Sequence, residues 1–211
     1  MASFSDIMKG VIYSKGRGCF ITPDDFGAKV SSASLRTELV NFNNSRLLIH
    51  VARGLYFFPH IGKDGKQVRP TLYDIMKHIE VATKGMVFPS EETAYHLLGL
   101  TEERPTPMLF YTTGTPKTLN LNSGPELVFK KASKRNRIPQ FQSIKVRTLF
   151  MVYSAMEESR ITKKMIAAMN RYCSEFTEED FADDYESLPL WMKENLKFPV
   201  LKKNVEEAEE E

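Results

Sequence analysis

Apolar residues recur every three or four positions near the start of the chain, and this spacing predicts an amphipathic helix there. The apolar residues within 4–12 fall on one helical face, and a serine at position 3 or 5 can cap the start. Gly16-Arg17-Gly18 ends this helix, and the β-prone run 19–21 follows it. Residues 22–26 then combine a threonine cap, a proline in the first turn and two acidic residues near the positive end of the helix dipole. A second helix is therefore predicted to begin at residue 22.

Residues 31–59 carry the pattern around which the first part of the chain is organised. Leu35, Leu39 and Phe42 recur at helical spacing and predict a third helix, with polar side chains on its far side. A polar break follows, and then two β-prone runs meet at Arg53-Gly54, where glycine supplies the positive φ of a tight turn. The order of helix, short strand, helix, helix and hairpin predicts a winged helix-turn-helix that binds DNA.

The pattern changes after residue 60. Residues 61–70 are polar and are predicted to form a linker, whereas helical spacing returns in 71–84, in 90–98 and repeatedly after residue 143. Three β-prone runs between residues 108 and 131 predict a small antiparallel meander. The expected fold class is α+β, with an N-terminal winged helix-turn-helix followed by a domain with a small antiparallel sheet and several helices. The expected divisions are 1–60 for the DNA-binding domain, 61–70 for the linker, 71–205 for the C-terminal domain and 206–211 for an acidic disordered tail.

Charge is distributed unevenly along the 211 residues. The first 70 residues hold ten Lys and Arg against five acidic residues, although the whole chain has a formal charge of only +2. A basic first third favours a polyanionic partner, but an excess of this size also occurs on ordinary solvated surfaces. Two distant cysteines and four histidines lack the spacing of a disulfide scaffold or a zinc site. With no signal-peptide or membrane-spanning pattern, we expect a reduced, soluble, cytoplasmic protein with no membrane partner.

The third predicted helix supplies the candidate base contacts. In a helix-turn-helix the N-terminal part of the recognition helix meets base edges, while surrounding Arg and Lys neutralise phosphates. The base-side candidates are Ser32, Ser34, Arg36 and Thr37, and the phosphate candidates are Arg17, Lys29 and Arg46. Arg53 at the wing tip can enter a narrow minor groove, or it can be a solvated arginine in a turn. The alternative for the whole domain is a winged helix that packs against protein and never binds DNA.

A second basic segment follows the last β-prone run. Its cationic residues are Lys130, Lys131, Lys134, Arg135 and Arg137. This density is sufficient to bind DNA, RNA or an acidic protein surface, and it is also typical of a solvated loop.

Catalytic motifs are absent from the sequence. Neither Gly16-Arg17-Gly18 nor the segment 62–66 has the spacing of a phosphate-binding loop. Asp183-Asp184 can in principle attract a divalent cation, but a solvated acidic helix is the simpler interpretation. His50, His96 and Cys19 are interpreted as packed or capping residues. We therefore expect no enzymatic activity, no cofactor and no metal.

Several segments together resemble the AbiEi-type abortive-infection antitoxin family of bacteria. They are the runs RGCFITPDDF, HVARGLYFFP, PSEETAYHLLGL and MLFYTTGTPKTLNLNSGPELVFKKAS. The resemblance covers roughly residues 5–133. It includes a glycine-rich break before the second helix, the R-G-x-Y hairpin at Arg53-Gly54-Leu55-Tyr56 and the helix that ends in Leu-Gly-Leu.

The resemblance implies a repressor of its own toxin–antitoxin operon. In that family the winged helix binds inverted repeats in double-stranded promoter DNA. The C-terminal domain counters a nucleotidyltransferase toxin, often without binding it directly. Such a toxin needs a Gly-Ser turn followed by two carboxylates one residue apart, and this sequence contains no Gly-Ser pair. The chain thus resembles the antitoxin side, and a symmetric operator implies a homodimer or monomers that bind cooperatively. A regulator without a toxin partner is the alternative.

Overall fold

Contacts within the chain divide it into two units in the computed structural model, which describes residues 3–27, 32–133, 138–156 and 160–199. The first unit consists of Met1–His78 and Thr118–Leu127, and the second of Ile79–Lys117 and Val128–Glu211. The fold class is α+β, as the sequence predicts. The grouping differs from the expected one, because residues 61–78 and 118–127 belong with the N-terminal part. The predicted acidic tail, 206–211, lies outside the described residues.

The first unit contains helices and a small antiparallel sheet. Its elements are α1 (Phe4–Lys15), β1 (Phe20–Ile21), a 3₁₀ helix (Pro23–Phe26), α2 (Ser32–Asn44), β2 (Ile49–Ala52) and β3 (Leu55–Phe57). The strand order is β1-β3-β2, so β3 is central, and Phe20 and Ile49 both lie opposite Phe57.

Capping groups fix where the first two helices begin. The Ser3 hydroxyl accepts from the backbone N–H of Asp6, whose carboxylate accepts from the Ser3 N–H. Thr22 and Asp25 form the same kind of capping box at the second predicted helix. That helix begins at the predicted place but is a single 3₁₀ turn, which ends at Gly27 with a φ of 71°.

One apolar core organises the first unit. It contains Met8, Ile12, Ile21, Leu35, Leu39, Phe42, Leu48, Tyr56 and Phe58. The buried face of α2 is the predicted one. On α1, however, the expected apolar face is only partly buried, because Phe4 and Ile7 are 36% and 58% exposed. Ile7 lies on the stripe next to that of Met8 and Ile12, which the core covers, and Phe4 lies one turn before Met8 at the first residue of the helix.

Residues 61–70 form a turn structure in the first unit, where a featureless linker was expected. Ile61 and Gln67 form an antiparallel bridge, and the Val68 N–H donates to the His60 carbonyl at 2.9 Å. The Gln67 side-chain amide donates to the Arg46 carbonyl, just beyond the end of α2. These bonds explain why the segment groups with the N-terminal part of the chain.

The remaining elements begin with a helix that crosses the division between the units. They are α3 (Leu72–Thr83), β4 (Val87–Pro89), α4 (Glu91–Leu97), β5 (Met108–Thr112), β6 (Lys117–Asn120), β7 (Glu126–Lys131), α5 (Ile144–Ala155), α6 (Lys163–Cys173), 3₁₀ helices at Glu178–Asp180 and Ala182–Ser187, and α7 (Leu190–Asn195). The second sheet is mixed and has the order β4-β5-β7-β6.

The predicted antiparallel meander of β5, β6 and β7 is wrong. The short connection after β5 looks like a hairpin turn, but β7 lies beside β5, and the Ala132 N–H donates to the Thr112 carbonyl. Gly114 in this connection packs against α3, since an added Cβ would clash with the Thr83 carbonyl oxygen. The Lys131 ammonium donates to the Thr113 and Gly114 carbonyls. These contacts take the connection away from the path of a hairpin.

Candidate nucleic-acid interface

Helix α2 presents one apolar and one polar face. Leu35 and Leu39 are buried in the core, which turns Ser34, Arg36 and Thr37 outward, and all three are exposed. The Thr37 hydroxyl donates to the Ala33 carbonyl at 3.1 Å, and its oxygen remains able to accept a further hydrogen bond. The N-terminal half of α2 therefore offers short polar side chains and one long cation to solvent.

The turn between β2 and β3 projects a second cation. It consists of Arg53 and Gly54, and Gly54 has a φ of 70°, which a residue with a side chain adopts only at a cost. Ala52 and Leu55 pair on either side of the turn. Arg53 is exposed at the tip.

A cavity of about 590 Å³ separates α2 from this turn, and we call it the α2–β3 groove. It is lined by Pro23, Leu35, Arg36, Leu39, Val40, His50, Arg53, Gly54, Tyr56, Asn120 and Asn122. The buried members are the apolar residues Leu35 and Leu39 and the Tyr56 ring, so they form the floor. The arginines and asparagines are exposed and form the rim.

The connection between β6 and β7 completes this groove. Leu121 bridges Ala52, and the Asn122 N–H donates to the Val51 carbonyl at 2.9 Å. The Asn122 side-chain amide donates to the His50 carbonyl at 3.0 Å and lies 2.7 Å from His50 Nδ1. Because β2 is the edge strand of its sheet, these bonds pair its otherwise open edge.

The groove carries unpaired positive charge. Among the described residues, neither Arg36 nor Arg53 forms an ion pair with a carboxylate. Burial raises the pKa of Tyr56, while the nearby charge of Arg36 acts in the opposite direction. The field of Arg36 thus reaches the groove floor.

Comparison with known proteins gives a family for the chain. Residues 7–171 match a family of unknown function, DUF6088, which covers more than half of the sequence. The chain belongs to the DUF6088 family. No curated protein and no solved structure matches it.

The other predicted phosphate contacts of this DUF6088 chain lie outside the groove. Arg17 is exposed, donates to the Pro59 carbonyl at 2.7 Å and lies over the Phe58 ring at 4.7 Å. Arg46 is exposed just beyond the C-terminal end of α2, whereas Arg36 lies near its N-terminal end. Lys29 lies outside the described residues, as does the side chain of Ser32.

The second predicted basic segment is only partly described. Lys130 is exposed on β7, and Lys131 is the residue that binds the carbonyls after β5. Lys134, Arg135 and Arg137 lie outside the described residues. The described part of the segment thus has one solvated and one structural lysine.

The sequence pointed to neither Asn120 nor Asn122, and it predicted both in the C-terminal domain, whereas Thr118–Leu127 group with the first unit. Their only signal is the turn pattern Asn-Ser-Gly-Pro from Asn122 to Pro125, which predicts a reversal but not what the turn packs against. A bridge between residues 52 and 121 has no local sequence signature. These two side chains are what sequence reasoning missed in the candidate site.

Metal ligands, Asp184 and the thiol of Cys173 are the other chemical groups to consider in the described residues. The described residues contain no cluster of three or more His, Cys, Asp or Glu that can hold a metal ion. Asp184 is buried, and its carboxylate accepts from the N–H groups of Gln142 at 2.7 Å and Ser143 at 2.8 Å, so interpreting it as a solvated acid was wrong. Burial raises the pKa of Cys173 to about 12, so its thiol stays protonated at neutral pH.

A helix that spans a membrane must be both long and apolar. In the described residues, none of the helices combines the length and the apolarity that crossing a bilayer requires.

Proposed function

We propose that the first unit is a winged helix that binds double-stranded DNA, with α2 as recognition helix and the β2–β3 turn as wing. The order α1, β1, 3₁₀ helix, α2, β2, β3 and the strand order β1-β3-β2 are those of a winged helix, and they support this assignment. The observation that carries it is that Arg36 and Arg53, from two different elements, line the same groove without a carboxylate partner in the described residues.

Each candidate residue has a role in this proposal. Ser34, Arg36 and Thr37 face base edges in the major groove, because they occupy the exposed N-terminal half of α2. Arg53 at the wing tip reaches the adjacent minor groove or its phosphates. Arg17 and Arg46 are phosphate contacts at the edges of the interface, because each retains N–H groups for an anion.

The salt dependence of binding tests this function. We expect the chain to bind a duplex from upstream of its gene more tightly than a random duplex of equal length and base composition. The logarithm of the association constant should fall with the logarithm of salt concentration, with a slope of about −0.9 for each phosphate contacted. Fluorescence anisotropy over a salt series measures both. Equal affinity for the two duplexes contradicts sequence-specific binding. Affinity that does not change with salt contradicts DNA binding and leaves a protein-interaction module.

We further propose that the chain is a cytoplasmic repressor of its own operon and counters a nucleotidyltransferase toxin. The similarity of residues 5–133 to AbiEi-type antitoxins supports this, and the C-terminal part of the chain would carry the antitoxin activity. On a symmetric operator the chain binds as a homodimer or as cooperative monomers.

Co-expression with the neighbouring gene tests the antitoxin role. We expect that gene to arrest growth when expressed alone and to become harmless when this chain is supplied, because an antitoxin removes the toxic activity. Colony counts with each gene under a separate inducible promoter measure the effect. A neighbour that is harmless alone leaves the alternative of a DNA-binding regulator without a toxin partner.

A further inference from the structure

We propose that the α2–β3 groove binds a small aromatic carboxylate and that the bound ligand displaces DNA. The ligand site stands on the geometry of the groove alone. The displacement of DNA rests on the proposed function, because it requires that α2 and the β2–β3 turn contact a duplex.

The size and lining of the groove are those of a small-molecule site. Its volume of about 590 Å³ falls within the range of about 300–1,000 Å³ that is typical of such sites. The floor is apolar, and polar groups are confined to the rim, an arrangement that buries an apolar body and orients it through a few directed contacts. Val40 on the rim is a valine that is 45% exposed, and a bound apolar body would cover it.

The rim charges select an anion. Arg36 and Arg53 both line the groove, and in the described residues neither forms an ion pair with a carboxylate of the chain. A guanidinium binds a carboxylate through two parallel N–H donors, so one carboxylate on the ligand satisfies this part of the rim. The side-chain amides of Asn120 and Asn122 add neutral polar groups beside them.

The floor favours an aromatic body. His50 stacks on Tyr56 with ring centroids 4.7 Å apart, and both aromatic residues line the cavity. Aromatic rings gain from offset or edge contacts with one another beyond the burial of area. A flat, rigid ligand also loses little conformational freedom on binding.

The DNA backbone is a poor occupant of the groove interior. Each nucleotide of a strand carries a charged phosphate, and burying such a charge against Leu35 and Leu39 removes its hydration without replacing it. The duplex can meet the rim, where the arginines are, and leave the floor empty. Ligand and DNA thus compete for Arg36 and Arg53 and not for the same volume.

Titration of the full-length chain with 1-naphthoate tests the ligand site. In ¹H–¹⁵N spectra we expect saturable shifts at Val40, His50 and Tyr56. Val40→Glu should weaken binding at least tenfold, because the new carboxylate repels the ligand and pairs with the rim arginines. Val81→Glu is the matched control, since Val81 is a helical valine that is 79% exposed and does not line the groove, and it should bind like the parent.

The neutral methyl ester of 1-naphthoate tests whether the rim arginines select a negatively charged ligand. Arg53→Gln should weaken binding of 1-naphthoate severalfold and leave binding of the ester unchanged. Absence of saturable shifts at the groove residues, or equal loss of affinity in Val40→Glu and Val81→Glu, overturns the site. Equal loss for the acid and the ester in Arg53→Gln overturns the assignment to a carboxylate.

A competition measurement tests the coupling to DNA. Saturating 1-naphthoate should raise the apparent Kd for the upstream duplex at least fivefold, and it should not do so in Val40→Glu. Groove shifts without a change in the Kd for DNA overturn the coupling and leave the ligand site intact. Failure of the chain to bind any duplex without ligand overturns the proposed function and the coupling, while the ligand site is still judged by the shifts.

Discussion

Replacing Arg147 by alanine is expected to lower the free energy of unfolding of the second unit by about 3–5 kcal/mol. Arg147 is 1% exposed on α5 and forms a bidentate ion pair with Glu80. Its remaining donors reach three backbone carbonyls, those of Val87 at 2.9 Å, Gln142 at 2.9 Å and Ser143 at 3.3 Å. All five N–H groups of the guanidinium are engaged.

The large effect arises from the partners that would lose Arg147. The Glu80 carboxylate would keep only the bond from the Val87 N–H among the bonds that satisfy it here. Three backbone carbonyls would lose a charged donor, among them that of the buried residue Val87, and an unsatisfied buried group costs about 1–3 kcal/mol. Removing one partner of a buried pair is costly for this reason, even where the intact pair contributes little net stability.

Urea denaturation measures this loss, with Arg171→Ala as the matched control. Arg171 is an exposed arginine on α6, and its replacement should change the free energy of unfolding by no more than about 0.5 kcal/mol. Arg147→Lys should fall between the two, because an ammonium keeps the charge but cannot reach all the acceptors of the planar guanidinium. Equal stability of Arg147→Ala and Arg171→Ala would contradict the assigned network.

Replacing Arg36 by alanine is expected to weaken specific DNA binding by roughly 5- to 150-fold, the effect of losing about 1–3 kcal/mol of base contact. The loss of affinity should be larger for the upstream duplex than for the random duplex, since the random duplex lacks the base that Arg36 contacts. Arg53→Ala should instead weaken binding to both duplexes and make the salt slope smaller by about 1, if its contact is to phosphate. Both side chains are exposed, so the fold should be unchanged.

Anisotropy titrations with the upstream and random duplexes measure these effects. Arg171→Ala again serves as the control, because it removes the same charge from a helix that the proposal does not place at DNA. An Arg36→Ala protein that keeps the parent's preference for the upstream duplex would remove Arg36 from base recognition. Circular dichroism spectra that match the parent would exclude misfolding as the cause of any loss.

Helical periodicity was the most informative part of the sequence for the first unit. It predicted the buried face formed by Leu35, Leu39 and Phe42, and it left Arg36 and Thr37 exposed, as the structure has them. The glycine at position 54 also predicted the reversal at Arg53-Gly54, because glycine adopts a positive φ without steric cost. Such features depend on neighbours within one or two turns, which the sequence displays directly.

Pairing between distant residues accounts for what sequence reasoning missed. The β5–β7 pairing replaced the expected meander, and the Asn122 contacts to His50 and Val51 placed the β6–β7 connection in the first unit. Asp184 resembled a solvated acid because its partners, the N–H groups of Gln142 and Ser143, are about forty positions away. No local pattern encodes these contacts, because a backbone N–H or a carboxylate can form a hydrogen bond with many different partners, and the sequence does not show which of them lies nearby.

The sequence by itself determined the α+β class, the order of the elements in the first unit and the exposed cations of α2 and the β2–β3 turn. Only the tertiary structure decided that Arg36 and Arg53 line one groove, that Asn120 and Asn122 complete its rim, and that the floor is apolar. Periodicity fixes the face of an element on which a side chain lies. The assembly of those faces into a cavity depends on packing between segments that lie up to nearly a hundred residues apart in the chain, from Pro23 to Asn122.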